Sequence, residues 1–489
     1  MFSKADVSKL VHQAIDAAFN KFKAGHYQDA EVILAQTLKV SPENTQALQL
    51  LGLVKHNTGQ FADAVGFFNR SLEIEPDNPE NYNNLGLCYS GIGKFDEAIT
   101  NLKKAIELNP DCACFYSNLG LQYRHKEDLD AAVQCFQKSL AISETETTWG
   151  MLGGCYGEKL ELEEAERCFK KALSIKPSFA GAHVDLANVY HLQGRWEEAW
   201  KEYEWRHEVF EQLKIWKLLY DQEKLWRGEP LDGKRILVHG EQGHGDTINF
   251  LRYVKSLKGD VTVHCAEELA PLLESHVKVF VGDPTVISRE ELPEHDCHCS
   301  LMSLPYLLRD VPISTEPYLK TARKIDLSTY SDFFKIGIVW AGNPQHPNDA
   351  RRSCRLANFH GVHDIPGIKL FSLVKDVRPR IYRLKSDPID LTEGSGDMKI
   401  VDMAPLMGNF EDTAAIINSL DLIVSVDTAV LHLAGAMGKP AYALLPWNCD
   451  WRWSQTGDKT VWYPSVRIFR QERPGDWTSV FLQVEKGLK

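Results

Sequence analysis

Residues 77–110 read DNPENYNNLGLCYSGIGKFDEAITNLKKAIELNP, and this pattern recurs along the first half of the chain. Within it, the small residue Gly86 is followed twelve positions later by Ala98, and Pro110 closes the unit. A fixed period of 33 or 34 residues indicates a repeat architecture. The first small residues of the six units are Ala18, Gly52, Gly86, Gly120, Gly153 and Ala187, and the second are Ala30, Ala64, Ala98, Ala132, Ala165 and Ala199.

Each unit is predicted to form two antiparallel helices. The paired small residues allow the two backbones to approach where the helices cross, and the proline stops the second helix. One helix pair cannot bury its apolar face alone, so six units are expected to stack into a solenoid. This pattern resembles the tetratricopeptide repeat family, and we predict an all-α solenoid of six repeats over residues 11–213.

The solenoid has two possible roles. It could be a spacer, or its concave face could hold an extended protein or peptide partner, as is typical of such solenoids. Asn84 and Asn118 occupy the same helix position in adjacent repeats, where their amides could bind a peptide backbone. The groove is therefore the favoured interpretation.

Composition limits the classes of function. The chain has 489 residues, 44% hydrophobic and 25% charged, and its net charge is −12. These values are typical of a globular protein and argue against a general nucleic-acid or anionic-membrane binder. The first residues show no apolar signal core, the apolar runs are too short to span a bilayer, and eleven cysteines follow no disulfide rhythm. We therefore expect a cytoplasmic protein without a membrane span.

A tryptophan-rich stretch follows the repeats. It could stack on sugars or pack one domain on another, and packing is favoured because Trp buries a large area at interfaces. Residues 214–233 are predicted to be a linker. The tryptophans concerned are Trp196, Trp200, Trp205, Trp216 and Trp226.

Beyond Gly233 short apolar runs alternate with helical patterns, which indicates parallel sheets. The alternation restarts near residue 335. We therefore predict two Rossmann-like domains, residues 234–325 and residues 335–489. Two such units in one chain usually place a ligand in the cleft between them.

The segment after the run Leu422–Val426 contains candidate binding residues. Asp427 or Thr428 caps the following helix, whose free N–H groups favour phosphate. Asp427 would accept hydrogen bonds from sugar hydroxyls, and His432 lies one turn into the helix. An ordinary capped helix remains the alternative.

The loop after Trp340 provides the second set of candidates. Arg351 and Arg352 can make bidentate contacts with a diphosphate, and Asn343 lies in the same loop. A solvated charge pair is the alternative.

The turn Gly240-Glu-Gln-Gly-His-Gly-Asp246 does not match a dinucleotide fingerprint. Asp246 could contribute a carboxylate to the cleft or could simply cap a helix. Residues His295–Cys299 could bind zinc by composition but lack a convincing second ligand pair, so no metal site is predicted.

The segments around Val426–Pro440 and Arg235–Asp246 resemble the donor motif and the amino-terminal motif of bacterial heptosyltransferase-type glycosyltransferases. That resemblance implies the two-domain GT-B fold, with residues 234–325 on the acceptor side and residues 335–489 on the donor side. It also implies that Asp246 is the catalytic base. Repeats followed by such a half are similar to O-linked N-acetylglucosamine transferases and to bacterial repeat proteins implicated in flagellin modification. The family's diphosphate-binding lysine has no clear equivalent after Trp340, so an arginine must substitute.

We therefore predict an inverting, metal-independent glycosyltransferase. It would move a sugar from a nucleotide sugar, its substrate, to a hydroxyl of a protein or peptide held by the solenoid, with no cofactor. Asp246 is the predicted base, with Glu241 as the next candidate, and the predicted donor-binding residues are Asn343, Arg351, Arg352, Asp427, Thr428 and His432. The alternative is a repeat scaffold whose transferase-like half binds without turnover.

Overall fold

The computed structural model describes residues 4–210, 219–309, 315–346, 348–375 and 398–489. The chain divides into two compact units, Met1–Asp185 and Leu186–Lys489. Trp216, one of the tryptophans of the predicted linker, lies outside the described residues.

The first unit consists of helical hairpins, which confirms the predicted solenoid. Each hairpin contains a turn of three residues whose middle residue has a positive φ: Gly25, Gly59, Gly93, Glu127, Leu160 and Gly194. The sixth hairpin begins in this unit and ends in the second. Its helices and those of the other hairpins are α1 Lys4–Lys23, α2 Tyr27–Val40, α3 Thr45–Asn57, α4 Phe61–Ile74, α5 Pro79–Gly91, α6 Phe95–Leu108, α7 Ala113–His125, α8 Leu129–Ile142, α9 Glu146–Glu158, α10 Leu162–Ile175, α11 Ala180–Leu192 and α12 Trp196–Tyr203.

The small residues of the repeat make room for large side chains of the partner helix. A Cβ on Gly120 would lie 2.8 Å from the ring of Phe136, and a Cβ on Gly86 would lie 2.6 Å from Leu102. The second small residues, such as Ala98, are fully buried. The close approach predicted from sequence is thus made largely by side chains of the second helix rather than by two backbones alone.

The single spacing of 33 residues has a local cause. The turn between α8 and α9 has three residues, 143–145, whereas the corresponding turns 41–44, 75–78, 109–112 and 176–179 have four. The longer turns carry Pro42, Pro76, Pro110 and Pro177, and the shorter turn carries none.

The second unit contains two separate sheets, and all their strand pairings are parallel. The smaller sheet has the order β3-β2-β1-β4 and the larger has the order β10-β9-β8-β5-β6-β7. Parallel sheets with helices are compatible with the predicted Rossmann-like domains. The strands are β1 Arg235–His239, β2 Asp260–Cys265, β3 Lys278–Val281, β4 Cys297–Ser300, β5 Phe334–Val339, β6 Ile368–Ser372, β7 Val401–Asp402, β8 Leu422–Val426, β9 Ala441–Leu445 and β10 Val466–Arg470.

Strand β10 was missed at the sequence level. It is an edge strand with Arg467 exposed between buried Val466 and Ile468, so it lacks the continuous apolar run that identifies β8. The remaining helices are α13 Arg206–Val209, α14 His244–Phe250, α15 Ala270–Leu273, α16 Leu304–Leu308, α17 Asp349–Arg352, α18 His360–His363, α19 Phe410–Ser419, α20 Ala429–Ala436 and α21 Trp477–Leu488.

The boundary between the two compact units lies inside α11, after Asp185. Residues from Leu186 onward group with the sheets because buried side chains such as Trp200 and Arg206 pack there. The four-part division of the chain stays a prediction. Among the described residues, no helix has both the length and the hydropathy needed to cross a membrane.

Candidate active site

The topology of the two sheets indicates which loops could form a binding site. In the larger sheet the chain order reverses between β5 and β8, and in the smaller sheet it reverses between β1 and β4. Ligands in parallel α/β sheets bind outside the carboxyl ends of the strands at such switch points. The segment with Asp246 follows β1, the loop with Arg352 follows β5, and Asp427 follows β8.

Asp246 lies in the first turn of α14. Its Oδ2 accepts a hydrogen bond from the Gly243 N–H (3.1 Å), as the third residue of a capping box does, although Gly243 has no side chain to complete the box. Its Oδ1 accepts a hydrogen bond from Arg452 Nη2 at 2.6 Å. Burial raises the pKa of this carboxyl above its ordinary value, and the Arg452 charge opposes that rise. Asp246 is therefore a helix cap that also carries an ion pair to the other sheet's loops.

Arg452 was not identified from the sequence. It follows β9 and pairs with both Asp246 and Asp450, the latter at 2.9 Å. Its side chain is 8% exposed, and its guanidinium lies 4.2 Å from the centroid of the Trp451 ring. The available signal was its place in a charged, Trp-rich loop at the carboxyl end of a strand.

Asp427 and His432, two of the predicted donor-binding residues, lie close together. His432 Nε2 lies 3.7 Å from Asp427 Oδ1, and its Nδ1 is hydrogen-bonded to the Tyr463 hydroxyl at 3.0 Å. Burial, reinforced by the nearby charge of Asp450, raises the pKa of Asp427 to about 6. Burial and neighbouring arginines hold the pKa of His432 well below its usual range, so its ring is neutral.

The first turns of α14 and α20 meet at Gly245. A Cβ on Gly245 would lie 2.9 Å from His432 Cδ2 and 3.5 Å from the Ala429 Cα. This contact brings Gly245, the residue before Asp246, against α20. Two segments that are far apart in sequence therefore share one site.

Thr428 occupies the N-cap position of α20, as the sequence suggested, but its hydroxyl makes no side-chain cap bond within the described structure. Its Oγ1 lies instead 3.1 Å from the hydroxyl of Ser425. First-turn N–H groups of a helix have no intrahelical partner and can serve an anion.

The two predicted arginines in the segment after β5 differ in exposure. Arg352 is 15% exposed, its Nε lies 3.4 Å from Asp349 Oδ1, and its positive charge lowers the pKa of both Asp427 and His432. Arg351 is exposed on the same short helix. Asn343 is exposed and accepts a hydrogen bond from the Gln345 N–H at 3.0 Å, so its side chain shapes the turn.

Glu241, the alternative base, is held in a buried ion pair. Both of its carboxylate oxygens accept hydrogen bonds from Arg206, at 2.8 Å and 3.1 Å, and Ser300 donates to it as well. The Arg206 charge holds the pKa of Glu241 low against the effect of burial, and its side chain is 0% exposed. Glu241 is therefore a structural anion and not an accessible base.

Two of the four described tryptophans of this stretch are buried, and half-buried Trp196 packs edge-on against Trp451 and Trp462. Trp200 is 1% exposed and Trp226 is 7% exposed, so neither presents a free face.

In the His295–Cys299 segment, which was considered for zinc by composition, His298 Nε2 is hydrogen-bonded to the Asp221 carbonyl oxygen at 2.8 Å. Across the described ranges, no three His, Cys, Asp or Glu side chains form a group that could hold a metal.

Family models match the chain in two regions. Tetratricopeptide repeat models match residues 21–86, 79–112 and 111–178. A model described as Glycosyltransferase family 9 (heptosyltransferase) matches residues 390–448. That second match spans β7 to β9 and includes Asp427, Thr428 and His432, whereas Asp246 and Arg352 lie outside it.

A curated relative, Protein FlbA of Caulobacter vibrioides (strain ATCC 19089 / CIP 103742 / CB 15), is 24% identical over 297 residues, which cover 54% of this chain and 48% of the relative. The chain thus matches about half the length of that relative. The repeats are confirmed, and residues 390–448 are similar to heptosyltransferase-type glycosyltransferases.

Solved repeat structures also match. PilF of Pseudomonas aeruginosa is 16% identical, with coverage of 43% of this chain and 98% of that chain and a TM-score of 0.38. MamA (41-end) of Desulfovibrio magneticus RS-1 is 22% identical, with coverage of 36% and 97% and a TM-score of 0.33. These scores establish no common overall fold, and the solenoid is established by its own repeats.

Proposed function

We propose that the α/β half is an inverting glycosyltransferase of GT-B type. It would transfer a sugar from a nucleotide sugar to a hydroxyl of a protein or peptide held by the repeats, in a bacterial cytoplasm. The observation that supports this proposal is the contact of Gly245, the residue before Asp246, with His432, which lies 3.7 Å from Asp427. The free thiols of all eleven cysteines agree with a reducing compartment.

The proposed step needs one base and one anion site. Asp246 accepts the proton of the acceptor hydroxyl while that oxygen bonds to the anomeric carbon. The bond from the anomeric carbon to the diphosphate breaks, and the nucleoside diphosphate leaves with the bonding electron pair. Arg352 and the first N–H groups of α20 stabilise its charge, so the step as proposed uses cations and dipoles of the chain.

The environment of Asp246 suits this role. Burial raises the pKa of its carboxyl, which makes it a stronger proton acceptor than an exposed aspartate. The ion pair with Arg452 keeps enough of it ionised to accept a proton. The flagellin-type acceptor class rests on the family resemblance.

The test is hydrolysis of nucleotide sugars without acceptor, measured as release of nucleoside diphosphate. Asp246→Asn keeps the size of the side chain and its capping oxygen but removes its basicity, and loss of a general base typically costs about 10²–10⁴ in rate. We expect a loss on that scale with nucleoside diphosphate affinity unchanged within about threefold.

Asp412→Asn is the matched control. Asp412 is also the third residue of a helix with a capping box, accepting from the Asn409 N–H at 3.2 Å, and it also pairs with an arginine, Arg323, at 2.8 Å. The Asp412→Asn variant should hydrolyse nucleotide sugars at the wild-type rate. Equal activity of both variants would contradict the role of Asp246.

A binding protein without turnover is the second candidate. It is favoured by the two hydrogen bonds that already engage the Asp246 carboxylate. Thermal stabilisation by nucleoside diphosphates without hydrolysis of any nucleotide sugar would support it. A ligand at 100 times its dissociation constant adds about 2.7 kcal/mol of stability, which such a screen detects.

A further inference from the structure

Residues 186–210, here called the sixth-hairpin segment, contact both parts of the chain that hold Asp246. The segment comprises the end of α11, all of α12 and α13, and it belongs to the second compact unit. We propose that this segment is a positioning element for the Asp246 carboxylate, acting through Glu241 on one side and through Trp451 and Arg452 on the other. The inference rests on the proposed function for the role of Asp246 as base.

The first arm fixes the chain just before Asp246. Arg206 makes the buried two-oxygen ion pair with Glu241, and both side chains are 0% exposed. Next to it, Gln242 Nε2 donates a hydrogen bond to the Tyr203 hydroxyl at 3.2 Å. Glu241 and Gln242 precede Asp246 by five and four residues, so α12 and α13 determine where α14 begins.

The second arm fixes the cation that pairs with Asp246. The His191 ring stacks on the Trp451 ring at 4.1 Å with an interplanar angle of 14°. The Arg452 guanidinium lies 4.2 Å from the centroid of Trp451, and its Nη2 lies 2.6 Å from Asp246 Oδ1. Trp200 meets Trp451 edge-on at 5.4 Å. A continuous series of contacts therefore leads from α11 to the carboxylate.

His191 has the properties of an aromatic surface rather than a polar one. It is 2% exposed, and within the described part of the chain both ring nitrogens lack a hydrogen-bond partner. Burial holds its pKa well below the usual range, so the ring is neutral. A buried polar group without partners destabilises a fold, so packing alone favours an apolar side chain here. Phe should reproduce the stack, whereas Leu should not.

The position of Arg452 controls the charge of Asp246. An opposite charge at ion-pair distance lowers a carboxyl pKa by about 1–3 units. If Arg452 moves away, burial is no longer opposed and Asp246 becomes protonated at a higher pH. The groups that act on this carboxyl from the surrounding elements are Arg452, Asp450, Glu241, the Gly243 N–H, Tyr203 and His346.

The experiment compares His191→Leu with His191→Phe in the full chain. In acceptor-free hydrolysis, the acid limb of the kcat profile should move to higher pH by about one unit or more in His191→Leu, with KM unchanged within about twofold. The conservative variant His191→Phe should restore the wild-type profile. His125→Leu removes a similar stack, of His125 on Phe95 at 5.2 Å, in the first unit and should leave the profile unmoved.

A second measurement does not depend on catalysis. We compare the melting temperature of each His191 variant, and of the wild type, with that of the same protein carrying Asp246→Asn. The dependence of this difference on pH reports the pKa of the Asp246 carboxyl in each protein. The pH at the midpoint of this dependence should rise in His191→Leu and should not change in His191→Phe. Identical midpoints in all backgrounds would overturn the inference. If the wild type hydrolyses no nucleotide sugar, the proposed function fails, while the melting data still decide whether the segment positions Asp246.

Discussion

Arg352 places a positive charge near Asp427 and His432. It lowers the pKa of both Asp427 and His432, and its guanidinium packs over Gly342, where a Cβ would lie 2.5 Å from Nη2. Arg351, its neighbour on α17, is exposed. The two arginines that the sequence treated as a pair therefore differ in surroundings.

We predict that Arg352→Ala weakens binding of nucleoside diphosphates. A charge-assisted hydrogen bond contributes about 1.5–3 kcal/mol, which corresponds to a loss of roughly 10- to 150-fold in affinity. Titration calorimetry with a panel of nucleoside diphosphates measures it, and Arg351→Ala is the matched control with an expected loss below about threefold. Unchanged affinity in the double variant would place the ligand elsewhere.

We predict that Asp427→Asn stabilises the protein above pH 6. The folded-state pKa of Asp427 is about 6, above its unfolded value of 3.8, so the folded state holds the proton more tightly. The carboxylate therefore destabilises the fold at high pH, by at most about 3 kcal/mol at about 1.4 kcal/mol per pKa unit.

This penalty shrinks as the pH falls through 6 and is absent below about 4, because both states are then protonated. Melting curves of Asp427→Asn and wild type between pH 4 and pH 8 measure it. A stability difference that does not depend on pH would contradict the prediction. The same substitution should impair donor use, since Asp427 lies beside His432.

At the scale of the element, the hairpin turn is the unit that the repeats share. Its middle residue has a positive φ in all six turns, and four of the six are glycine. Glu127 and Leu160 adopt the same conformation with a side chain, at φ of 62° and 61°. The left-handed region is unfavourable for residues with a Cβ by about 1–2 kcal/mol.

Leu160→Gly should therefore stabilise the first unit by about 1 kcal/mol, the strain relief being partly offset by the greater freedom of glycine in the unfolded chain. Urea denaturation followed by circular dichroism measures this change. Gly93→Leu makes the opposite change at the equivalent turn of α5 and α6 and should destabilise by a similar amount. A destabilised Leu160→Gly variant would show that contacts of the leucine outweigh its backbone strain.

For the whole molecule, the position of the boundary between the two compact units decides which truncations can work. The boundary at Asp185 leaves His191, Trp200 and Arg206 with the sheets. Removing the whole sixth-hairpin segment would leave Glu241 buried without its partner Arg206. Removing one partner of a buried ion pair costs about 3–5 kcal/mol.

We therefore predict different outcomes for two deletions. A chain lacking residues 1–179 keeps α11 and should bind nucleoside diphosphates within about threefold of the full chain while losing transfer to protein acceptors. A chain lacking residues 1–213 should fail to fold or to bind. Thermal shift and glycosylation assays on both chains test this, and equal protein glycosylation by the shorter deletion would refute the groove hypothesis.

Sequence patterns alone specify the features that recur or that lie close together along the chain. Six repeats with paired small residues specified the hairpins, and apolar runs with polar ends specified nine of the ten described strands. Asp246, Asp427 and His432 could be singled out because each follows a strand that the pattern revealed. Local propensity and periodicity are sufficient for such features.

Tertiary structure decided which of these residues meet. Arg452 pairs with Asp246 across 206 residues, Glu241 is neutralised by Arg206, and Arg352 and Arg351 differ in burial. The periodicity of the sequence does not reveal these pairings, because an ion pair between loops depends on how sheets and helices pack. The unit boundary inside α11 has the same origin, because the buried contacts of Trp200 and Arg206 fix it while the spacing of the small residues continues past it to Ala187 and Ala199.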